Sequence, residues 1–179
     1  MANNNQSKRN KASLLASCPI VNERRVAAIM RSVKQLAVKY YRETGKPLGV
    51  TGEVAEWEAA RILGLKLCKA RQDGYDAIRV HSRGLQRISI KGRRVLDTSK
   101  RGQRLGRIPL HYEWDSVILV LLDEMFEPKS IYEAERRHIK RELLRPGSKA
   151  RNERGALSVS KFKSIAKLLW PSRAKVRVK

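Results

Sequence analysis

Two neighbouring stretches decide how this chain is read: Gly74-Tyr-Asp-Ala-Ile-Arg-Val80 and, after His81-Ser-Arg-Gly84, Leu85-Gln-Arg-Ile-Ser-Ile-Lys-Gly92. Residues 76–80 and 85–91 alternate apolar with polar or basic side chains and are rich in Ile and Val, while the residues between them supply turn chemistry. The pattern predicts a β-hairpin. With Ser82 and Arg83 as a two-residue turn, Asp76 lies opposite Ser89 and Lys91 is its diagonal neighbour; with Arg83 and Gly84, Asp76 lies directly opposite Lys91. Either register brings the carboxylate and the amine onto one face, within roughly 5 to 8 Å. A three-residue loop would reverse the parity and part them. An acid and a lysine meeting on adjacent strands can hold a divalent cation beside a phosphate, or form a plain cross-strand ion pair.

Working outward, charge narrows the partner class. The chain has 179 residues with 40 Lys and Arg against 17 Asp and Glu, a net charge of +23. That excess is of the sign and size that attracts polyphosphate, so nucleic acid is the expected partner class. No long basic amphipathic helix, lipidation signal or apolar run of membrane length is present, which argues against a membrane partner. Leu15-Ala-Ser-Cys18 mimics a lipoprotein box, but the apolar run before it is too short for a signal peptide. Cys18 and Cys68 are too few and too isolated for a disulfide framework or zinc site, and read as reduced thiols of a cytoplasmic protein, with nucleoid association compatible. His81, His111 and His138 have no ligand spacing. A homodimer is compatible with the sequence.

No linker divides the chain, so a single domain is expected over 22–170, preceded by a disordered basic segment at 1–21 and followed by a basic tail at 171–179. Val26, Ile29, Met30, Val33, Leu36, Ala37 and Tyr40 recur at helical spacing and predict one inward stripe on a long helix ending near Gly45. A second helix runs from a Thr51 cap to Leu63, with Gly64 as its stop. Its apolar arc holds Ala55, Ala59, Ile62, Leu63, Ala60 and Trp57, with Glu58 and Arg61 pointing away. Glu56 falls inside the arc and Glu53 sits one turn earlier. A core-facing carboxylate is costly without a cation, a proton or a metal, so Glu56 asks for a partner.

Residues 65–69 read as a short extended piece. Gly92 to Leu110 reads as a mobile basic loop carrying Arg93, Arg94, Lys100, Arg101, Arg104 and Arg107. Asp115 to Asp123 is a continuous apolar run bounded by acids, the pattern of a central strand buried on both faces, and 128–134 is its neighbour. Glu135–Leu144 then reads as a basic helix, 145–155 as a loop, and Ser160–Trp170 as a helix with Phe162, Ile165, Leu168 and Leu169 inward, stopped by Pro171. Arg173, Lys175, Arg177 and Lys179 make the tail a nucleic-acid contact.

A helix with Glu, a strand with Asp and a strand ending in hydrophobic-x-hydrophobic-Lys, in this order, resembles the PD-(D/E)xK nuclease superfamily with its restriction-endonuclease-like fold. Thr51-Gly-Glu-Val-Ala-Glu56 looks like the family's Gly-x-x-x-Glu helix start, Gly74-Tyr-Asp76 like its metal-binding Asp, and Ile88-Ser-Ile-Lys91 like its (D/E/Q)-x-Lys strand. The nearest branch is that of Mrr-type enzymes and Holliday-junction resolvases, and the likeness covers roughly Thr51 to Tyr132. It implies an α/β fold with a central mixed sheet of four or five strands flanked by helices, and a Mg²⁺- or Mn²⁺-dependent endonuclease. Asp76 would bind the ion, Glu56 or Glu53 would bind it or position a water on it, and Lys91 would orient the attacking water or offset phosphorane charge. Ser89 stands where the family expects an acid, and offers a hard cation only a neutral hydroxyl. Two other functions fit the charge: a catalytically inactive nucleic-acid-binding domain of the same fold, and a ribosome-associated basic protein.

Overall fold

The structure, a computed structural model, describes residues 22–69, 74–82, 84–96 and 102–171. The expectations for residues 1–21, for Lys100 and Arg101, and for Arg173, Lys175, Arg177 and Lys179 lie outside these residues.

Helix α1 (Glu23–Thr44) starts where the Asn22 side chain accepts the Arg25 amide N–H at 3.1 Å, and ends at Gly45, whose N–H reaches the Tyr41 carbonyl at 2.8 Å. Helix α2 (Thr51–Leu63) follows. Thr51 is its first residue rather than its cap: Val50 occupies the cap position and contributes no side-chain hydrogen bond. Six strands then form one mixed sheet in sequence order: β1 (Lys66–Leu67), β2 (Ala77–His81), β3 (Gly84–Arg94), β4 (Ser116–Leu122), β5 (Pro128–Glu135) and β6 (Lys167–Trp170). Only the β3–β4 pair is parallel. Helices α3 (Arg136–Leu144), α4 (Lys149–Asn152) and α5 (Val159–Ile165) lie between β5 and β6. The chain is thus α/β around a mixed, open sheet, with one or two strands more than expected. No helix among the described residues is long and apolar enough to cross a membrane.

β4 is the central strand the apolar run predicts, with every residue buried. Alternation sends Ile118, Val120 and Leu122 into one core with Val54, Ala55 and Ala59 of α2 and Ala37 and Val38 of α1. Val117, Leu119 and Leu121 enter a second core with Ile139 and Leu143 of α3 and Phe162 of α5. At about 1.5–3 kcal/mol per fully buried aliphatic side chain, this doubly covered strand anchors the domain.

Several expectations are corrected. The segment 160–170 is not one helix: α5 stops at Ile165, Ala166 is extended (φ −107°, ψ 155°), and Lys167–Trp170 pairs with Ile131–Glu133 as the edge strand β6. The outer edge of β5 would otherwise leave its N–H and C=O groups unpaired, and that tertiary demand overrides the local helical spacing. Within 145–155, residues 149–152 form the single helical turn α4. The described part of the basic loop is packed rather than free. Leu105 and Ile108 are buried, and their N–H groups bond the carbonyls of Leu157 (2.8 Å) and Gly155 (2.9 Å). The apolar stripe of α1 divides into two faces: Ala37 and Val38 are buried and Met30 and Val33 pack against the core, but Ile29, Leu36 and Tyr40 are exposed.

Glu58 does not point away. It is 3% exposed, accepts from Lys34 Nζ at 2.6 Å and from Arg61 Nη2 at 2.6 Å, and so ties α1 to α2. Lys34, itself buried, also reaches Glu127 at 2.9 Å in the turn before β5. A lysine between Val33 and Ala37 on a buried face was the available signal for this network.

α2 lies almost in contact with the backbone of β3. A Cβ on Gly92 would come within 2.6 Å of both Ala55 Cβ and the Thr51 carbonyl oxygen. Both obstacles are held by the helix backbone, so Gly92→Ala is expected to lift α2 from the sheet and destabilise the domain by about 1–3 kcal/mol, read as a lowered urea midpoint. An unchanged midpoint would show that α2 is not seated there.

Candidate active site

The hairpin adopts the first of the two registers. Ala77 is opposite Ile88 and His81 opposite Gly84, so Asp76, just before β2, faces Ser89. β3 outruns its partner here. Asp76 N–H bonds the Ile88 carbonyl at 2.8 Å, so Ile88 and, two residues on, Ile90 direct their backbone groups toward β2. β2 has ended, and the Asp76 side chain takes its place: Oδ2 accepts the Ile90 N–H at 2.5 Å and the Ser89 hydroxyl at 3.2 Å. The carboxylate therefore lies close to the plane of the sheet, at its open margin, rather than on one face.

That position resolves a geometric problem. Ser89, Lys91 and Arg93 share one face of β3, whereas α2 packs on the other, over Gly92. Glu56 on α2 nevertheless interacts electrostatically with Asp76, Glu53 and Lys91. Among the described residues the margin of β3 beyond Asp76 has no strand partner, and groups from the two faces meet across it. Seating is tight on the approach as well: Gly74 has φ +93°, and a Cβ there would lie 2.6 Å from Tyr112 Cβ. The segment entering Asp76 is thereby clamped against the 110–114 loop. Arg136 holds that loop, donating to the carbonyls of Leu110 (2.6 Å), Tyr112 (2.8 Å) and Trp114 (3.0 Å). Neither Gly74–Tyr112 packing nor the Arg136 clamp had a sequence signal, because both join residues remote in the chain.

The Glu56 carboxyl is raised from 4.5 to about 7, first by burial, then by the negative charges of Asp76 and Glu53, with Lys91 opposing. A carboxyl raised on folding binds a proton that the unfolded chain has released, so stability falls as pH rises from 4.5 to about 7, and the cost is fully present above that window. Glu56→Gln is therefore expected to stabilise the protein at pH 8 by about 2 kcal/mol, a figure discounted for partial exposure, and to have little effect at pH 4.5. Urea midpoints at the two pH values check this; equal effects at both would sink it.

Elsewhere buried acids meet cations. Glu58 has Lys34 and Arg61, Glu133 has Arg79 at 2.9 Å, and Glu142 has Lys161 at 3.6 Å. Glu56, Asp76 and Lys91 sit together without forming an ion pair among the described residues, so the plain cross-strand pair is not what this geometry makes. Nor do Glu53, Glu56 and Asp76 form a metal-ligand set: among the described residues no three His, Cys, Asp or Glu side chains are so arranged. The donors that remain are Asp76 Oδ1, the Glu56 carboxylate and the Ile90 carbonyl on the open margin. All are hard oxygens, few in number, which fits an ion such as Mg²⁺ that keeps several waters.

The basic residues divide differently from expectation. Arg93 is half-buried, spends its guanidinium on the carbonyls of Arg104 (2.5 Å) and Gly92 (2.7 Å), and has its pKa lowered by burial. Arg94 is stacked between Tyr41 and Phe126, 5.1 and 4.3 Å from the ring centroids, and donates to the Glu124 carbonyl at 2.9 Å. Arg94 is thus engaged in packing between α1 and the turn before β5. Arg104 approaches the Ala156 carbonyl at 3.4 Å from an exposed position, and Arg107 is exposed. At the far end of the sheet Arg79, Gln86, Ser116 and Glu133 form a hydrogen-bonded network that His81 joins through Gln86, a structural use for that histidine.

No family model matches the chain, and no curated protein matches it either.

Proposed function

We propose that the protein is a nucleic-acid phosphodiesterase of the PD-(D/E)xK type, a Mg²⁺- or Mn²⁺-dependent endonuclease on a restriction-endonuclease-like sheet, with DNA favoured over RNA. The observation that carries this reading is the convergence of Glu56, Asp76 and Lys91, none of them ion-paired among the described residues, at the open margin of β3. The net charge of +23 supplies long-range attraction for a polyanion.

Asp76 and Glu56 would hold the ion, with the Ile90 carbonyl beside them. When bound, Mg²⁺ or Mn²⁺ supplies Lewis acidity and charge neutralisation at the phosphate. Ser89 and the Ile90 N–H fix the Asp76 carboxylate, leaving Oδ1 for that task. Lys91 orients the attacking water or offsets the charge that accumulates on the phosphoryl oxygens. Arg93, on the same face of β3 and bonded among the described residues to the carbonyls of Arg104 and Gly92, adds positive potential next to the scissile phosphate.

Ser89 favours a second reading. A hydroxyl replaces the acid that would complete the ligand set, so the same site would serve a domain that grips nucleic acid without cutting it. Purified protein incubated with plasmid, four-way junction and RNA, with and without Mg²⁺ or Mn²⁺, separates the two. Metal-dependent cleavage lost in Asp76→Asn supports the nuclease. Salt-sensitive binding without cleavage supports the second reading, and neither cleavage nor binding overturns both.

A further inference from the structure

The exposed side of α1 is not a scattering of apolar residues. Ile29, Leu36 and Tyr40 are 59, 60 and 40% exposed, and with half-buried Val33 they follow the spacing four, three, four along the helix. That is the seam of a two-helix packing, about 16 Å long at 1.5 Å per residue. It lies beside the face that carries Met30, Ala37 and Val38 into the core, so the apolar surface runs continuously out to solvent.

We propose that this seam is a self-association surface and that its occupant is α1 of a second copy, packed antiparallel about a two-fold axis between residues 34 and 35. In that arrangement Ile29 meets Tyr40 of the second copy, and Val33 meets its Leu36. The flanking charges select the direction. Arg25 and Glu43 lie on the same side of the seam at opposite ends, so an antiparallel pair places each Arg25 beside the other copy's Glu43, twice by symmetry. On the same side Lys39 falls near Ser32 of the second copy. A parallel pair would instead carry this flank of the two copies to opposite sides of the seam, where Arg25 and Glu43 do not meet. Three turns of helix bury less than the roughly 1,200 Å² at the low end of stable interfaces, and both copies are strongly positive, so the dimer is weak. The alternative occupant to be tested is the segment 1–21.

Sedimentation velocity of the nucleic-acid-free full chain, from low to high micromolar, tests this. The wild type is expected to pass from monomer to dimer, and Leu36→Glu, at an exposed position, to remain monomeric with an unchanged thermal midpoint. Arg25→Glu and Glu43→Arg are each expected to weaken association by about tenfold, and the double swap to restore it to within about threefold of wild type. Association unaffected by Leu36→Glu, or a double swap no better than the single changes, overturns the antiparallel pairing. A wild type that stays monomeric also overturns it, and if removal of residues 1–21 then releases dimerisation, the seam belongs to that segment.

Discussion

Lys91→Ala is expected to lower metal-dependent cleavage by roughly 10²–10³-fold, about 3–4 kcal/mol at the barrier, while shifting the thermal midpoint little. The ammonium is half-buried at a site where burial and two neighbouring carboxylates govern the electrostatics, and it forms no ion pair among the described residues. Its removal therefore breaks no structural bond but takes away a fixed positive charge where phosphoryl charge develops. Asp76→Asn is expected to cost as much, because an amide oxygen still accepts the Ile90 N–H but carries no charge for a cation. Ser89→Ala is expected to cost less than about tenfold, since one 3.2 Å hydrogen bond to Asp76 is all it loses. Initial rates at saturating Mg²⁺, with binding measured separately in chelator, make the comparison. Cleavage at the wild-type rate in both Lys91→Ala and Asp76→Asn would locate the activity elsewhere or in a contaminant.

Much of this frame could be read from local pattern. β4 announced itself because seven consecutive buried positions require an unbroken apolar run, and its acid boundaries mark where the chain leaves the core. The hairpin was legible as period-two alternation, though not its register, because the sequence admits two turns that differ only in which residues flank them. Glu56 stood out as a charge on an apolar arc. Its neighbour Glu58 did not, since angular position on a helix says nothing about a second helix crossing on that side; Lys34 arrives from 24 positions earlier.

What local pattern could not carry was any feature created by an absent neighbour. The Asp76 carboxylate is useful because β2 begins only at Ala77, opposite Ile88, leaving the Ile90 amide to be capped by a side chain. Lys167–Trp170 is a strand because β5 has an edge to cover. The 102–110 segment is packed because Leu105 and Ile108 find Leu157 and Gly155, half a domain away. Its arginines signalled solvent, but the two aliphatic residues at intervals of three decided the outcome. The same reasoning explains Arg93 and Arg94: as continuations of β3 they follow strand alternation, one onto the Lys91 face and one between Tyr41 and Phe126, so adjacent basic residues acquire unrelated tasks.

Glu58→Ala is expected to destabilise the domain by about 3–5 kcal/mol, more than any single change at the candidate site, because it strands the buried Lys34 ammonium. The carboxylate accepts from Lys34 at 2.6 Å and from Arg61 through two N–H groups at 3.0 and 2.6 Å, while being 3% exposed. Lys34 would be left with Glu127, whose side chain is 57% exposed and therefore screened. Glu127→Ala should accordingly cost under about 1 kcal/mol, and Arg61→Ala, at a 52% exposed side chain, a similar amount. The pair Lys34→Met with Glu58→Leu should recover most of the loss, since removing both charges removes the desolvation penalty along with the attraction. Urea midpoints of the four variants order these effects. Equal costs for Glu58→Ala and Glu127→Ala would mean that Lys34 is wetter than its burial indicates, and that α1 and α2 are joined by their apolar contacts alone.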